Sequence, residues 1–158
     1  MKETDITGDK FDFIDFSEGN IFFGSFSERE TFKVNVWGLT FMRELGITEI
    51  DCYLPAVSEV LFENVAYICL DYGIYTDRQC QEFVKSITGD STDLRLELGK
   101  KENVDGYTKY IFGGVLGRYL GYGEITLYCK GTVKLTYDET AFIPVGEYCL
   151  NPKKYRMQ

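Results

Sequence analysis

The sequence predicts an α+β fold: mostly antiparallel β-structure, arranged as a sheet, sandwich or barrel, with one main helix packed on it. Three observations carry this prediction. Short segments of alternating or apolar character, bounded by turn residues, recur along most of the chain. A single segment combines an apolar stripe of helical period with signals for both helix ends. Strand–helix–strand alternation is missing, so the strands are expected to pair through short antiparallel connections. At 158 residues the chain is expected to form a single domain, residues 1–158, large enough to bury a core without staples.

Taken in order, the first strand is expected over 11–16. "NIFFGSF" and "TFKVNVW" then form an antiparallel hairpin. Pairing Phe26 with Phe32 also pairs Gly24 with Val34 and Phe22 with Val36, and leaves Glu28-Arg29-Glu30 as the loop. This register puts the apolar residues on one face and Ser25, Lys33 and Asn35 on the other, with Trp37 an exception. Residues 39–45 suggest a helical turn or two before Gly46. Residues 55–62 form a second short helix candidate opened by Pro55. Further strands are expected over 48–54, 65–73, 94–98, 107–112, 124–129, 133–137 and 141–148.

The main helix is expected from Thr76 to about Thr88. Thr76 and Gln79 form a capping box, and Asp77 suits the positive end of the helix dipole. Cys80, Phe83, Val84 and Ile87 then recur at helical spacing, and Gly89 suits the position after the last turn. This helix is expected to cover one face of the strand "VAYICLDY", which is apolar on both sides. In "DLRLEL", Leu94, Leu96 and Leu98 alternate with Arg95 and Glu97, as in a half-buried strand. "GKKENVDG" reads as a polar loop of eight residues ending in Asp-Gly. For "EITLYCKGTVKLTY" two arrangements are open. A three-residue loop, Lys130-Gly131-Thr132, would oppose Leu127 to Leu135. Alternatively, Gly131 marks a bulge in one long strand.

"GGVLGRYLGYGE", residues 113–124, carries five glycines. Phosphate-binding loops need a helix after the glycines, so that its N-terminus faces the phosphate. Here a strand, "EITLYCK", follows, and neither the Walker nor the Rossmann spacing is met. The glycines therefore indicate bulges, sharp bends or close packing beneath a helix or aromatic ring, with close approach of a small ligand as the alternative.

The chemistry available is restricted. The chain has no histidine, which removes His-activated nucleophiles, a His general base and His-ligated zinc. Five cysteines, Cys52, Cys69, Cys80, Cys129 and Cys149, lack the paired spacing of a Cys₄ zinc site. Their odd number, and the absence of an apolar leader in the first residues, suggest reduced, buried thiols in a cytoplasmic protein. No catalytic residues, cofactor or metal are expected. Catalysis by carboxylates, Lys or Tyr alone is left open by the composition, for example two facing carboxylates as in glycosidases.

Charge is the most informative feature. The net charge is −8, and residues 1–63 hold 13 acids against 5 bases, while the remainder is balanced at 12 and 12. Such a surface repels nucleic acid and anionic membranes and attracts basic proteins. The leading expectation is a small acidic inhibitor of the bacterial or phage immunity or anti-defence kind. It would engage a basic protein partner through Asp5, Asp9, Asp12, Asp15, Glu18, Glu28 and Glu30. The aromatic residues offer an alternative. Eight of twelve tyrosines lie at or after Tyr107, and Tyr suits half-wet surfaces. Tyr110, Arg118, Tyr119, Tyr122 and Tyr128 could line a barrel site for a small apolar or sugar-like ligand. A phage-type structural subunit, assembling as a homo-oligomer, is the third expectation.

Overall fold

The computed structural model describes residues 1–27, 30–75, 83–86, 94–95, 98–115 and 121–157. Within them, thirteen strands succeed one another: β1 (Lys2–Asp5), β2 (Ile14–Asp15), β3 (Asn20–Phe26), β4 (Phe32–Phe41), β5 (Cys52–Phe62), β6 (Val65–Tyr75), β7 (Phe83–Ser86), β8 (Leu94–Arg95), β9 (Leu98–Val104), β10 (Tyr107–Val115), β11 (Gly121–Cys129), β12 (Val133–Tyr137) and β13 (Ile143–Pro144). All pairings are antiparallel. One sheet runs β1-β12-β5-β4-β3-β8, with β13 also on β5 and β2 on β4; the other runs β7-β6-β11-β10-β9. The fold is thus mostly antiparallel β with one short α-helix among the described residues, in the α+β class expected.

The two sheets join at a double corner. Phe62 opposes Val133 in the first sheet, and Val65 opposes Cys129 in the second. Between these pairs the two chains cross together. Glu63 N–H donates to the Thr132 carbonyl at 3.0 Å, and the N–H groups of Gly131 and Lys130 donate to the carbonyls of Glu63 and Asn64, each at 3.1 Å. A Cβ on Gly131 would lie 2.6 Å from the Glu63 oxygen, so only glycine allows this approach. β11 and β12 therefore do not form a hairpin across Lys130–Thr132. The alternative of one long strand bent at Gly131 is closer to what is observed. The curled sheet encloses the core, with Val34, Val36, Phe41 and Phe62 on one side and Tyr110, Phe112, Ile125 and Leu127 on the other.

The hairpin of β3 and β4 has Phe26 opposite Phe32 and Gly24 opposite Val34, as expected, but a bulge at Phe22 brings Ile21, not Phe22, opposite Val36. Trp37 does face away from the core. The C-terminal segment covers it, and its Nε1 donates to the Tyr155 carbonyl at 3.3 Å.

Several expected elements are corrected. Phe83–Ser86, in the middle of the expected helix, is a strand paired with Gly73–Tyr75 of β6. An open sheet edge supplies ladder partners that a local helical pattern does not reveal. Thr76–Glu82 and Ile87–Gly89 lie outside the described residues. An α-helix, α1, spans Val145–Leu150, where a strand was expected. Pro144 lacks an N–H for the ladder, so pairing with β5 stops after Ile143–Pro144 and the chain turns into the helix.

The helix candidate at 55–62 is part of strand β5. Its Ser58, Val60 and Phe62 point inward in alternation, and Pro55 sits where the register with β4 shifts, near Gly38. The strand expected at 48–54 starts only at Cys52. The one at 11–16 is a 3-10 helix, Gly8–Phe13, leading into two strand residues. Phe11, Ile14 and Phe16 are all buried, and a spacing of three then two needs a helical turn before the strand. Arg43–Leu45 forms a single 3-10 turn ending at Gly46.

The "GKKENV" part of the expected loop is edge strand β9, whose polarity suits an unpaired edge. The connection is the two residues Asp105 and Gly106, with φ of +49° and +80°; two positive φ values mark the turn whose twist matches a tight hairpin. "DLRLEL" is split between β8 in the first sheet and β9 in the second, with Leu96 and Glu97 outside the described residues. The glycine stretch is strand on both sides of residues 116–120, which are outside the described residues. Gly114 opposes Gly123 and Gly113 opposes Glu124 in the ladder of β10 and β11.

Candidate functional site

The acidic segment is built on a row of apolar anchors. Ile6, Phe11, Ile14 and Phe16 are buried at 0–4% exposure. Phe11 sits among aromatic rings, 4.8 Å from Tyr110 and 5.3 Å from Phe16. Between these anchors Asp5, Asp9, Asp12, Asp15 and Glu18 are all exposed. The anchors fix the backbone, so the carboxylates are presented by an ordered chain rather than a free tail.

The local chemistry of the acids differs. Asp5 accepts the Thr7 N–H at 2.7 Å, and hydrogen bonds from Thr7 hold its carboxyl below the usual carboxylate range. Asp15 accepts the Ser17 N–H at 2.8 Å. Asp9 and Asp12 converge on Lys101 of β9, at 3.9 and 3.1 Å. That ammonium, mostly buried, also donates to the Gly8 carbonyl at 2.6 Å. Lys101 thus ties the edge of the second sheet to the N-terminal segment and offsets part of its charge. Glu18 lies elsewhere, accepting from the Tyr148 hydroxyl at 3.2 Å. Tyr148 in turn stacks on Tyr53, with ring centres 3.8 Å apart. Glu30 is exposed, and its carbonyl accepts the Val65 N–H. Glu28 lies outside the described residues. The structure therefore brings Asp9 and Asp12 together and places Glu18 beside the C-terminal helix.

The expected tyrosine site is corrected at Tyr110. Tyr110 is a core residue, 1% exposed and packed on Phe11 and Phe62. Burial pushes its phenol up to about 12. It lines no surface site, because inward parity on β10 sends it between the sheets. Arg118 and Tyr119 lie outside the described residues, and for Tyr122 only the backbone pairing with Val115 and Gly73 is described.

Tyr128 does face outward, and it has companions that the sequence reading did not select. Tyr67 of β6 is directly opposite it, with rings 5.7 Å apart and nearly perpendicular. Tyr107 of β10 adds a third ring. The three surround Ala66 in a shallow depression of about 480 Å³ on the outer face of the second sheet. Ala66 is the extra residue of a bulge: Tyr67 opposes Tyr128 while Val65 opposes Cys129. Two lysines border the rings. Lys109 Nζ lies 5.8 Å from the Tyr128 ring centre and Lys130 Nζ 4.2 Å from that of Tyr107. The outward parity of Tyr67, Tyr107 and Tyr128 was readable once the strands were assigned; their adjacency depends on which strands pair.

The cysteines divide as well. Cys52 and Cys129 are buried, whereas Cys69 and Cys149 are exposed, against the expectation of general burial. Cys69 shares the open outer face of β6 with Tyr67, so that strand is not covered there as the sequence suggested. Cys80 lies outside the described residues. Among the described residues, no group of three or more Cys, Asp or Glu side chains could hold a metal ion, and no helix is long and apolar enough to cross a membrane. No protein-family profile, no curated protein and no solved structure matches this chain.

Proposed function

We propose that the protein is a binding domain of the inhibitor or immunity kind, which engages a basic protein partner through its N-terminal acidic segment. The observation that carries this reading is the alternation of buried anchors, Ile6, Phe11, Ile14 and Phe16, with exposed carboxylates, Asp5, Asp9, Asp12, Asp15 and Glu18. An ordered acidic surface binds with less loss of chain entropy than a flexible one. The uneven charge of the chain supports the same reading, since opposite fields steer the encounter of an acidic surface with a basic partner.

The test uses shape-conserving substitutions. Asp5→Asn, Asp9→Asn, Asp15→Asn and Glu18→Gln together remove four charges but keep the oxygens that accept from Thr7, Ser17 and Tyr148. Asp12 is left in place because it neutralises the mostly buried Lys101. The wild type, immobilised and exposed to lysate of the native host, should capture a basic protein. The combined variant should bind that protein with an association rate at least about tenfold lower. Salt, which screens over ~8 Å at physiological strength, should slow the wild type more than the variant. Equal rates for the two proteins would show that these acids only solvate the surface.

A further inference from the structure

A second surface, independent of the acidic segment, lies on the outer face of the second sheet. Tyr67, Tyr107 and Tyr128 stand around Ala66, and Tyr67 is 54% exposed although it is a large ring on a strand. The depression, of about 480 Å³, lies open to solvent. Its shape and charge select among ligand classes. An apolar ligand needs enclosure of most of its surface, and this depression is open. A nucleic-acid strand stacks on such rings only along a positively charged groove. Here Lys109 is paired with Glu102 at 3.4 Å, and the chain as a whole carries −8. A cation would meet the ammonium groups of Lys109 and Lys130, which already lie against Tyr128 and Tyr107.

What fits is a neutral ring with polarised C–H groups on one face and hydroxyls around its edge. The C–H face rests on the negative face of a phenol ring. The hydroxyls stay wet or bond to the Tyr, Lys and Glu groups at the border. We infer that the depression formed by Tyr67, Tyr107 and Tyr128 over Ala66 is a binding site for a neutral saccharide.

The experiment follows the ring signals of the three tyrosines by NMR during titration with cellotetraose, maltotetraose, mannotetraose and lacto-N-tetraose, and with the oligonucleotide dT4 as a comparison. At least one tetrasaccharide should shift all three rings, with Kd below ~1 mM. Tyr67→Ala, which removes an exposed ring, and Ala66→Leu, which fills the depression from an exposed position, should each weaken binding at least about tenfold, or ~1.4 kcal/mol. Two variants that lie outside the core guard against a fold artefact. Binding of none of the four saccharides, unchanged binding in both variants, or tighter binding of dT4 at the same rings would each overturn the inference. The acidic-segment variant should bind the saccharide as the wild type does, so the two readings fail separately.

Discussion

Replacing Tyr110 by Phe removes one hydroxyl from the core and leaves the ring between Phe11 and Phe62, at 4.8 and 5.1 Å. The consequence is a change in how stability depends on pH. An unfolded tyrosine titrates near ~10, whereas burial holds Tyr110 up to about 12 in the folded protein. Below the unfolded value both states keep the proton, and the contribution of the buried neutral phenol is fully present. Between the two values the unfolded chain loses a proton that the folded chain retains, so stability falls as pH rises through this window. The full two-unit difference corresponds to ~2.7 kcal/mol, and about 2 kcal/mol of it is lost by pH ~11.5. Burial also pushes up Tyr53 and Tyr137, but these titrate alike in both proteins. Urea unfolding followed by Trp37 fluorescence, at pH ~8 and pH ~11.5, therefore isolates Tyr110. The variant should gain about 2 kcal/mol on the wild type between the two conditions. Equal losses would refute the burial of this hydroxyl.

Two further outcomes follow from the corner and the thiols. Gly131→Ala should destabilise the fold by ~1–3 kcal/mol, because its Cβ would lie 2.6 Å from the Glu63 carbonyl; thermal unfolding reads this, and an unchanged midpoint would place the corner elsewhere. A thiol reagent should label Cys69 and Cys149 rapidly and Cys52 and Cys129 slowly, since only the first two are exposed and burial raises the Cys129 thiol. Mass spectrometry of the labelled peptides separates the two classes, and fast labelling of Cys129 would contradict its burial.

The sequence by itself determined the class of the fold, because strand alternation is local. "VKLTY" reads as a strand and is one, with Val133, Leu135 and Tyr137 inward. The pairing of Phe26 with Phe32 and of Gly24 with Val34 also followed from the pattern, since a slip by one residue would turn the apolar set outward. The acidic surplus and the lack of histidine are facts of composition that no folding can change. Around Asp5–Glu18 the sequence suggested a strand over 11–16, whose alternation would set Phe11 and Ile14 on opposite faces; the 3-10 turn that lets both be buried was not legible.

The tertiary structure decided what depends on distant partners. Phe83–Ser86 carries a helical pattern, yet β6 offers it a ladder edge. Lys130–Thr132 looks like a hairpin loop, yet Glu63 and Asn64 hold it as a corner between sheets. Tyr110 and Tyr128 lie on neighbouring strands with similar surroundings in sequence. Opposite parity sends one into the core and the other outward, where β6 brings Tyr67 beside it. Lys101 likewise reaches Asp9 and Asp12 from far along the chain. Backbone hydrogen bonds and burial are satisfied by whichever segment the topology delivers, and short-range periodicity carries no record of that segment.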